Sequence, residues 1–392
     1  MNGGDGAGDR DVAVAPPGSI HLLHLFSTFA AGGPQVRTAT LIHALPPAFR
    51  HTIVGLDGNF ACRERLAEHP RVAYAEPPRK SRLGAYAWRL GRLIKRVRPD
   101  LVLTYNWGAI EAIPGARWFG FRRLIHGEDG FGPDESGGQL ARRVRFRRLV
   151  LPLVQRVVVP SATLLRHAQE GWRVPEARRV LIPNGIDLDH FAPEPVGPGG
   201  ALPERAALRA RFGLDAGAPV IATVARLRKE KGLELLIDAV ATLTGAQLLI
   251  AGDGPEETAL RARVQQRGVT ARVRFAGNLP DPRDAYRAAD LFAMSSHTEQ
   301  MPISLVEAMG CGLAAVSTAV GDVAAMVAPE NARWIVAGRA PEVLAGALDQ
   351  ALRDAAARAA AGAANRAKAL REYAVGTMVA RYRALYASVL AG

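Results

Sequence analysis

The fold is decided by the stretch His297-Thr-Glu-Gln-Met-Pro-Ile-Ser-Leu-Val-Glu-Ala-Met-Gly-Cys-Gly312. Pro302 stands between two glutamates, where a helix can begin, because proline suits the first helical position. Glu299 then lies in the loop before the helix and Glu307 in its second turn. The helix is otherwise apolar, so a carboxylate on it either faces solvent or needs a hydrogen-bonding partner, such as the vicinal diol of a ribose. The free amides at the helix N-terminus would suit a phosphate.

This run resembles the signature of the family 4 glycosyltransferases, in which seven residues separate two glutamates. The family has the GT-B fold, an α/β architecture of two Rossmann-like domains whose parallel sheets face a central cleft. The resemblance implies that Glu299 contacts the transferred sugar as a catalytic residue and that Glu307 contacts the nucleotide ribose. It also assigns Met301, Ile303 and Ser304 to substrate binding.

Length and composition limit the possible fold classes and cellular compartments. A chain of 392 residues is long enough for two ordinary domains. The two cysteines, Cys62 and Cys311, stand in separate halves, which argues against a disulfide framework and predicts a cytoplasmic protein. No apolar stretch is long enough for a transmembrane helix. Residues 1–18 lack an apolar core and are predicted to be a flexible tail and not a signal peptide.

The formal net charge of +13 is concentrated in the first half of the chain. Such an excess favours nucleic acid, anionic lipid or phosphorylated substrates as partners. The segment Arg142-Arg-Val-Arg-Phe-Arg-Arg148 is basic and leads into an apolar run, so Arg143, Arg145 and Arg147 are candidate contacts with the inner face of a membrane. The alternative is a solvated helix face. We see no aromatic-rich nucleic-acid-binding motif, so we expect no nucleic-acid partner.

Strand-like and helical patterns alternate along both halves, which predicts two doubly wound parallel sheets. Glycines follow the first strand, where they let a backbone approach a ligand closely. Gly32 and Gly33 match the family's glycine-rich loop and are assigned to substrate binding. The predicted strands of the first half are Ile20–Phe26, His51–Gly55, Val72–Tyr74, Asp100–Thr104, Arg123–Ile125, Arg156–Val159 and Val180–Ile182. Those of the second half are Val220–Ala225, Gln247–Ala251, Val273–Asn278, Leu291–Ser295 and Ala314–Ser317.

His126 follows the fifth predicted strand, where open α/β sheets present ligand-binding groups. Family 4 enzymes often carry a histidine at the matching place, near the transferred sugar, which implies a catalytic role for His126. The usual family form is histidine followed by aspartate. Here Gly127 intervenes and Glu128 and Asp129 come next, so the roles of these carboxylates stay open, as does a purely structural histidine.

The segment Pro183-Asn-Gly-Ile-Asp187 resembles the family's element near the interdomain hinge, and Asn184 is assigned to substrate binding. Asp187 and Asp189 also match the metal motif of the other glycosyltransferase fold. We reject that interpretation because the pair belongs to a turn and the chain has two Rossmann-like halves. Ala192–Pro203, rich in proline and glycine, is the predicted linker.

Domain boundaries follow from these elements. Residues 19–195 are predicted to form one domain and residues 196–375 a second, and the resemblance implies that the first is the acceptor-side domain and the second the donor domain. The stretch Pro341–Arg371 is predicted to be helical because it is rich in alanine and arginine. A last helix, 376–392, is expected to join the first domain, as is common in GT-B proteins.

Arg226-Leu-Arg-Lys-Glu-Lys-Gly232 follows the first strand of the second half. Basic side chains at a strand-to-helix turn can meet a diphosphate. Arg226 and Lys231 match the family pattern and are assigned to catalysis, where they would neutralise the leaving diphosphate without a metal or other cofactor. The alternative is a solvated charged turn. The loop that contains Asp253 has neither a dinucleotide fingerprint nor a Walker sequence.

The resemblance implies a retaining, metal-independent hexosyltransferase that uses a UDP- or GDP-linked sugar. The expected acceptor is a sugar, a lipid-linked molecule or a phosphorylated molecule, in glycan, polysaccharide or glycolipid biosynthesis. Two other functions stay open: a sugar-nucleotide 2-epimerase of the same fold, and a basic nucleic-acid-binding protein.

Overall fold

A computed structural model describes residues 19–392 except residues 31, 68, 132–134, 136–137 and 197–201. The predicted tail, residues 1–18, and the centre of the predicted linker lie outside the described residues. The described chain forms two α/β domains, each built on one parallel sheet.

The first sheet has seven strands in the order β3-β2-β1-β4-β5-β6-β7. Its central strands are mostly apolar because helices cover both faces of a parallel sheet. The strands are β1 (Ile20–Phe26), β2 (Phe49–Gly55), β3 (Val72–Tyr74), β4 (Leu101–Tyr105), β5 (Leu124–Gly127), β6 (Arg156–Val159) and β7 (Arg179–Leu181). The helices are α1 (Gly33–Ala44), α2 (Leu83–Val97), α3 (Asn106–Ala109), α4 (Ala112–Trp118), α5 (Ala141–Val150) and α6 (Ala162–Arg166).

The second sheet has six strands in the order β10-β9-β8-β11-β12-β13. The sequence did not predict β13, because two residues at a sheet edge leave no periodic signal. The strands are β8 (Val220–Val224), β9 (Gln247–Ala251), β10 (Val273–Gly277), β11 (Leu291–Met294), β12 (Ala315–Thr318) and β13 (Ile335–Val336). The helices are α7 (Pro203–Arg211), α8 (Leu233–Thr242), α9 (Glu257–Gln266), α10 (Arg283–Ala288), α11 (Ile303–Gly310), α12 (Val323–Met326), α13 (Pro341–Arg353), α14 (Ala355–Glu372) and α15 (Val375–Ala391).

The stretch Pro341–Arg371 is helical, as predicted, and is divided into two helices. Asp354 separates α13 from α14, and its side chain accepts a hydrogen bond of 2.9 Å from the backbone N–H of Ala357. Aspartate at this position competes with helix continuation, because it satisfies an amide that would otherwise lack a partner.

The last helix, α15, returns to the first domain. Its residues Tyr382 and Tyr386 are buried in the same core cluster as Leu22 and Phe26 of β1. Helices α2, α4 and α5 cover the opposite face of the first sheet. Because every strand in both sheets is parallel, the carboxyl ends of each sheet share one edge, where ligand-binding groups are expected.

Candidate active site

A cavity of about 710 Å³ lies between the two domains. The residues that line it follow the carboxyl ends of strands, as expected for open α/β sheets. The first domain contributes Asp129, Gly130, Phe131 and Glu135; the second contributes Arg226, Arg228, Lys229, Glu230, Lys231, His297, Thr298, Glu299, Gln300, Met301 and Arg339. The second-domain wall is therefore rich in cations.

Glu299 and Lys231 form an ion pair on this wall. Lys231 Nζ lies 2.5 Å from Glu299 Oε1, and Ser296 donates its hydroxyl to the same oxygen at 2.8 Å. Both side chains keep some exposure to the cavity, 25% for Lys231 and 12% for Glu299. The structure thus brings together two residues that the sequence places 68 positions apart.

Gly232 explains how the turn presents Lys231. It adopts the left-handed conformation at φ 56°, and a Cβ atom there would lie 2.4 Å from the carbonyl oxygen of Ser295. Any side chain would force the turn away from the strand end, so glycine is required for the approach of the two segments.

Arg226 also lines the cavity, and its guanidinium pairs with the carboxylate of Asp253. The two side chains are 59% and 45% exposed. Because both are so exposed, the pair is weak and Arg226 is available to an incoming anion. No role was predicted for Asp253.

Glu307 lies in α11, as predicted, but the helix begins at Ile303 and Pro302 is the residue before it. The hydroxyl of Tyr286 donates to Glu307 Oε2 at 2.7 Å. Burial raises the pKa of the Glu307 carboxyl, and the hydrogen bond from Tyr286 opposes that rise. Glu307, Ile303 and Ser304 are not among the residues that line the cavity.

Asn184 and Met301 make a contact between the domains. The backbone N–H of Asn184 donates to the sulfur of Met301 at 3.2 Å. The side-chain oxygen of Asn184 accepts from Arg37 at 2.8 Å, so this side chain is directed into the first domain. Met301 lines the cavity, whereas Asn184 does not.

Gly32 and Gly33 lie at the start of α1 and are likewise absent from the cavity lining. A Cβ atom on Gly32 would approach Gln35 Oε1 to 2.8 Å, while one on Gly33 would meet no atom within 4 Å. A side chain at Gly33 would therefore have room among the described residues, whereas one at Gly32 would require the Gln35 side chain to move.

His126 is fully buried at the end of β5. Its Nδ1 lies 2.8 Å from Thr104 Oγ1 and its Nε2 lies 3.4 Å from Glu128 Oε2. Both ring nitrogens thus have protein partners, and the cavity is lined by the loop that follows the histidine. For His126 to contact a sugar, as predicted, a sugar hydroxyl would have to replace its 3.4 Å contact with Glu128.

The basic helix α5 differs from the prediction. Arg147 is fully buried between Glu128 and Glu135, with Arg147 Nε 3.2 Å from Glu128 Oε2 and Arg147 Nη1 3.3 Å from Glu135 Oε1. Arg143 pairs with Glu135 at 2.9 Å. These two arginines therefore cannot face a membrane, because they neutralise buried carboxylates. Arg145 is exposed.

Arg37 is a buried residue that sequence reasoning missed. Its guanidinium donates to both carboxylate oxygens of Asp129, with Arg37 Nη2 2.9 Å from Asp129 Oδ2. Burial lowers the pKa of Arg37, but Asp129 together with Tyr382 and Tyr105 raises it, and the net shift is upward. Arg37 thereby fixes a carboxylate that lines the cavity. The available signal was a cation in the first turns of a helix that follows a strand end.

Neither a metal cluster nor a membrane span appears in the part of the chain that the structure describes. No group of three or more histidine, cysteine, aspartate or glutamate side chains there could hold a metal ion. Asp187 Oδ1 accepts backbone hydrogen bonds from Asp189 and His190, so it stabilises its own turn. No described helix is long and apolar enough to cross a membrane.

Comparisons with known proteins agree with this architecture. Residues 31–190 match the model of Glycosyltransferase Family 4, and residues 204–368 match the model of Glycosyl transferases group 1. The chain is 34% identical over 186 residues to the D-inositol 3-phosphate glycosyltransferase of Mycobacteroides abscessus. The matched region covers 45% of this chain and 39% of that relative. The corresponding Mycobacterium tuberculosis protein is 31% identical over 231 residues, 56% of this chain and 45% of that one. The chain thus spans less than half the length of these relatives.

Solved structures extend the likeness to both domains. HepE of Anabaena in complex with UDP superposes with a TM-score of 0.80 at 19% identity, covering 94% of this chain and 100% of that one. A Rickettsia africae glycosyltransferase gives a TM-score of 0.78 at 15% identity, covering 95% and 99%. At these identities the likeness establishes the fold. Two adjoining family matches and one shared two-domain architecture show that the chain belongs to the family 4 glycosyltransferases, with the GT-B fold.

Proposed function

We propose that this protein is a retaining hexosyltransferase that moves a sugar from a nucleotide-sugar donor to an acceptor hydroxyl without a metal ion. The observation that carries the proposal is the Lys231–Glu299 pair on the cationic wall of the cavity. A carboxylate can accept hydrogen bonds from a sugar, while the adjacent ammonium can stabilise a leaving phosphate. One site thus offers both functions that the reaction needs.

Arg226 and Lys231 would stabilise the diphosphate as it leaves. Negative charge grows on the bridging and terminal phosphate oxygens as the glycosidic bond breaks, and cations fixed in advance lower the energy of that state. Among the described residues Arg226 pairs with the exposed Asp253, and a diphosphate can replace this partner. The leaving phosphate would then help to take the proton from the acceptor hydroxyl, which attacks from the same face and preserves the anomeric configuration.

Glu307 would hold the ribose of the donor. Tyr286 occupies one carboxylate oxygen, Oε2, so the other oxygen is the one offered to a ribose diol. Burial raises the pKa of Glu307, but a hydrogen bond from a ribose hydroxyl would favour the charged form and offset that effect. Met301, Ile303, Ser304 and the glycines at the start of α1 complete the proposed substrate contacts.

The proposed donor is a UDP- or GDP-linked sugar. HepE of Anabaena has been solved with UDP and with UDP-glucose, and the likeness of fold supports UDP as the first nucleotide to test. His126 would reach the transferred sugar if a sugar hydroxyl replaced its 3.4 Å contact with Glu128.

The proposed acceptor is a sugar, a lipid-linked molecule or a phosphorylated molecule used in glycan, polysaccharide or glycolipid biosynthesis. We further propose a cytoplasmic protein that docks on the anionic inner face of a membrane. Leu149, at the end of α5, is 74% exposed and stands beside exposed Arg145 and Arg148. Apolar and basic groups on one exposed helix surface suit an anionic bilayer.

Incubation with a panel of UDP- and GDP-linked sugars tests the proposal. Release of nucleoside diphosphate that rises when acceptor is added, with a product of retained configuration, is the expected result. Conversion of the donor to its 2-epimer without an acceptor would instead indicate an epimerase. Absence of both reactions, together with tight and salt-sensitive polynucleotide binding, would indicate a nucleic-acid-binding protein.

A further inference from the structure

The carboxylate of Asp322, in the second domain, reaches the first domain. Its Oδ2 accepts a hydrogen bond from the backbone N–H of Ala162, and its Oδ1 accepts one from Thr163 at 2.9 Å. These are the first two amides of α6, which have no partners within their own helix. A carboxylate suits them because the amides carry partial positive charge.

The rest of this helix N-terminus is satisfied within the first domain. Ser161, which is almost fully buried, accepts a hydrogen bond from the backbone N–H of Leu164 at 3.1 Å. Asp322 itself stands at the N-terminus of α12 but makes no side-chain hydrogen bond to that helix. Aspartate at such a position ordinarily caps its own helix. The carboxylate of Asp322 is therefore used between the domains.

The backbone around Asp322 touches the loop that carries Glu299. The N–H of Asp322 donates to the carbonyl oxygen of Gln300 at 3.2 Å. Gly321, at φ 53°, packs so closely that a Cβ atom would lie 2.2 Å from the carbonyl oxygen of Glu299. One two-residue segment thus contacts the Glu299 loop through its backbone and the first domain through a side chain.

We propose that Asp322 is a positioning residue that couples closure of the cleft to the placement of Glu299. In the closed arrangement the carboxylate bridges the domains, and the backbone of Gly321 and Asp322 packs against the loop that carries Glu299. When the domains separate, water must replace the two amide contacts, so the bridge shifts the equilibrium toward the closed arrangement. The kinetic part of this inference rests on the transferase function proposed above.

The structural part is tested by small-angle X-ray scattering of Asp322→Ala. The matched control is Asp354→Ala, which removes an aspartate cap at the start of α14, wholly inside the second domain. We expect a larger radius of gyration for Asp322→Ala than for wild type, without ligand and with UDP, and no change for the control. Equal radii for Asp322→Ala and wild type would overturn the bridge. Asp322→Asn, which keeps one carbonyl acceptor, serves the same comparison if the alanine variant does not fold.

The kinetic part uses the donor that the sugar panel identifies. We expect kcat to fall roughly tenfold in Asp322→Ala, the scale of a hydrogen bond to a charged group, with a much smaller change in UDP affinity. The positioning role would be overturned if Asp322→Ala lost thermal stability while kcat and UDP affinity changed to the same extent. An unchanged kcat would overturn it as well. Wild-type protein that turns over no donor would overturn the transferase proposal, while the scattering comparison would still decide the bridge.

Discussion

Lys231 Nζ lies 2.5 Å from Glu299 Oε1, and this pair joins the first strand-to-helix turn of the second domain to the loop before α11. A cation and a carboxylate in contact hold each other in place before substrate arrives. The cavity therefore presents a preorganised pair. In the proposed reaction Lys231 would contact the phosphate and Glu299 the sugar with little reorganisation.

We expect the double variant Arg226→Ala, Lys231→Ala to lose turnover by at least about a hundredfold, because it removes the cations proposed to stabilise the leaving diphosphate. Added Mg²⁺ should not restore activity, and a chelator should leave wild-type activity intact. Arg211→Ala is the control, since Arg211 forms a similarly exposed pair with Asp284 outside the cavity lining. Loss of wild-type activity in chelator, with recovery in Mg²⁺, would contradict the metal-free mechanism.

Glu307→Ala should weaken UDP binding by about 1.5–3 kcal/mol, the range for a hydrogen bond to a charged group. Isothermal titration with UDP measures this directly. Glu342→Ala, at an exposed position in the first turn of α13, should bind UDP as wild type does. If Glu307→Ala folds and binds UDP normally, the ribose contact is assigned to the wrong residue.

Acid should destabilise the first domain through two buried histidines. His24 Nε2 lies 3.0 Å from His51 Nδ1, and burial is the main cause that lowers the pKa of His24 to about 3 and that of His51 to about 2. Below the unfolded pKa of 6.5 the unfolded chain binds more protons than the folded one. Stability should thus be full above that pH and fall toward pH 3, by up to about 1.4 kcal/mol per pH unit for each histidine.

Denaturant titrations at several pH values between these limits measure the slope. His51→Asn should flatten it, because one protonation site is removed from the unfolded chain. An identical slope in wild type and His51→Asn would show that other groups control acid unfolding.

Arg147→Met should destabilise the protein by about 3–5 kcal/mol, because Glu128 would keep its buried charge without its arginine. Chemical denaturation gives the free energy of unfolding. Arg145→Met, two positions earlier and exposed, should stay within about 0.5 kcal/mol of wild type. Similar values for the two variants would mean that the buried ion cluster contributes nothing specific.

Charge reversal at Arg145 and Arg148 should reduce flotation with anionic vesicles, and raised salt should do the same to wild type. Reversal at Arg353 and Arg371, which are 80% and 66% exposed on the second domain, provides the control. Undiminished flotation of the α5 variant would remove this surface from membrane docking.

Much of the fold could be predicted because buried parallel strands are mostly apolar. Side-chain pairs were harder to predict. Arg37 and Asp129 are 92 positions apart, and nothing local in either segment indicates the other. The arginines of α5 look alike in sequence, yet Arg147 is buried and Arg145 exposed, because only the folded chain shows which helix face meets Glu128 and Glu135.

The return of α15 to the first domain has a consequence for synthesis on the ribosome. The first sheet is complete once β7 has been made, but its face still lacks Tyr382 and Tyr386, which belong to the final 17-residue helix. An apolar surface beside β1 therefore stays exposed to solvent while the whole second domain is translated. A premature stop codon that removes only α15 should leave the second domain able to fold and direct the first domain toward aggregation.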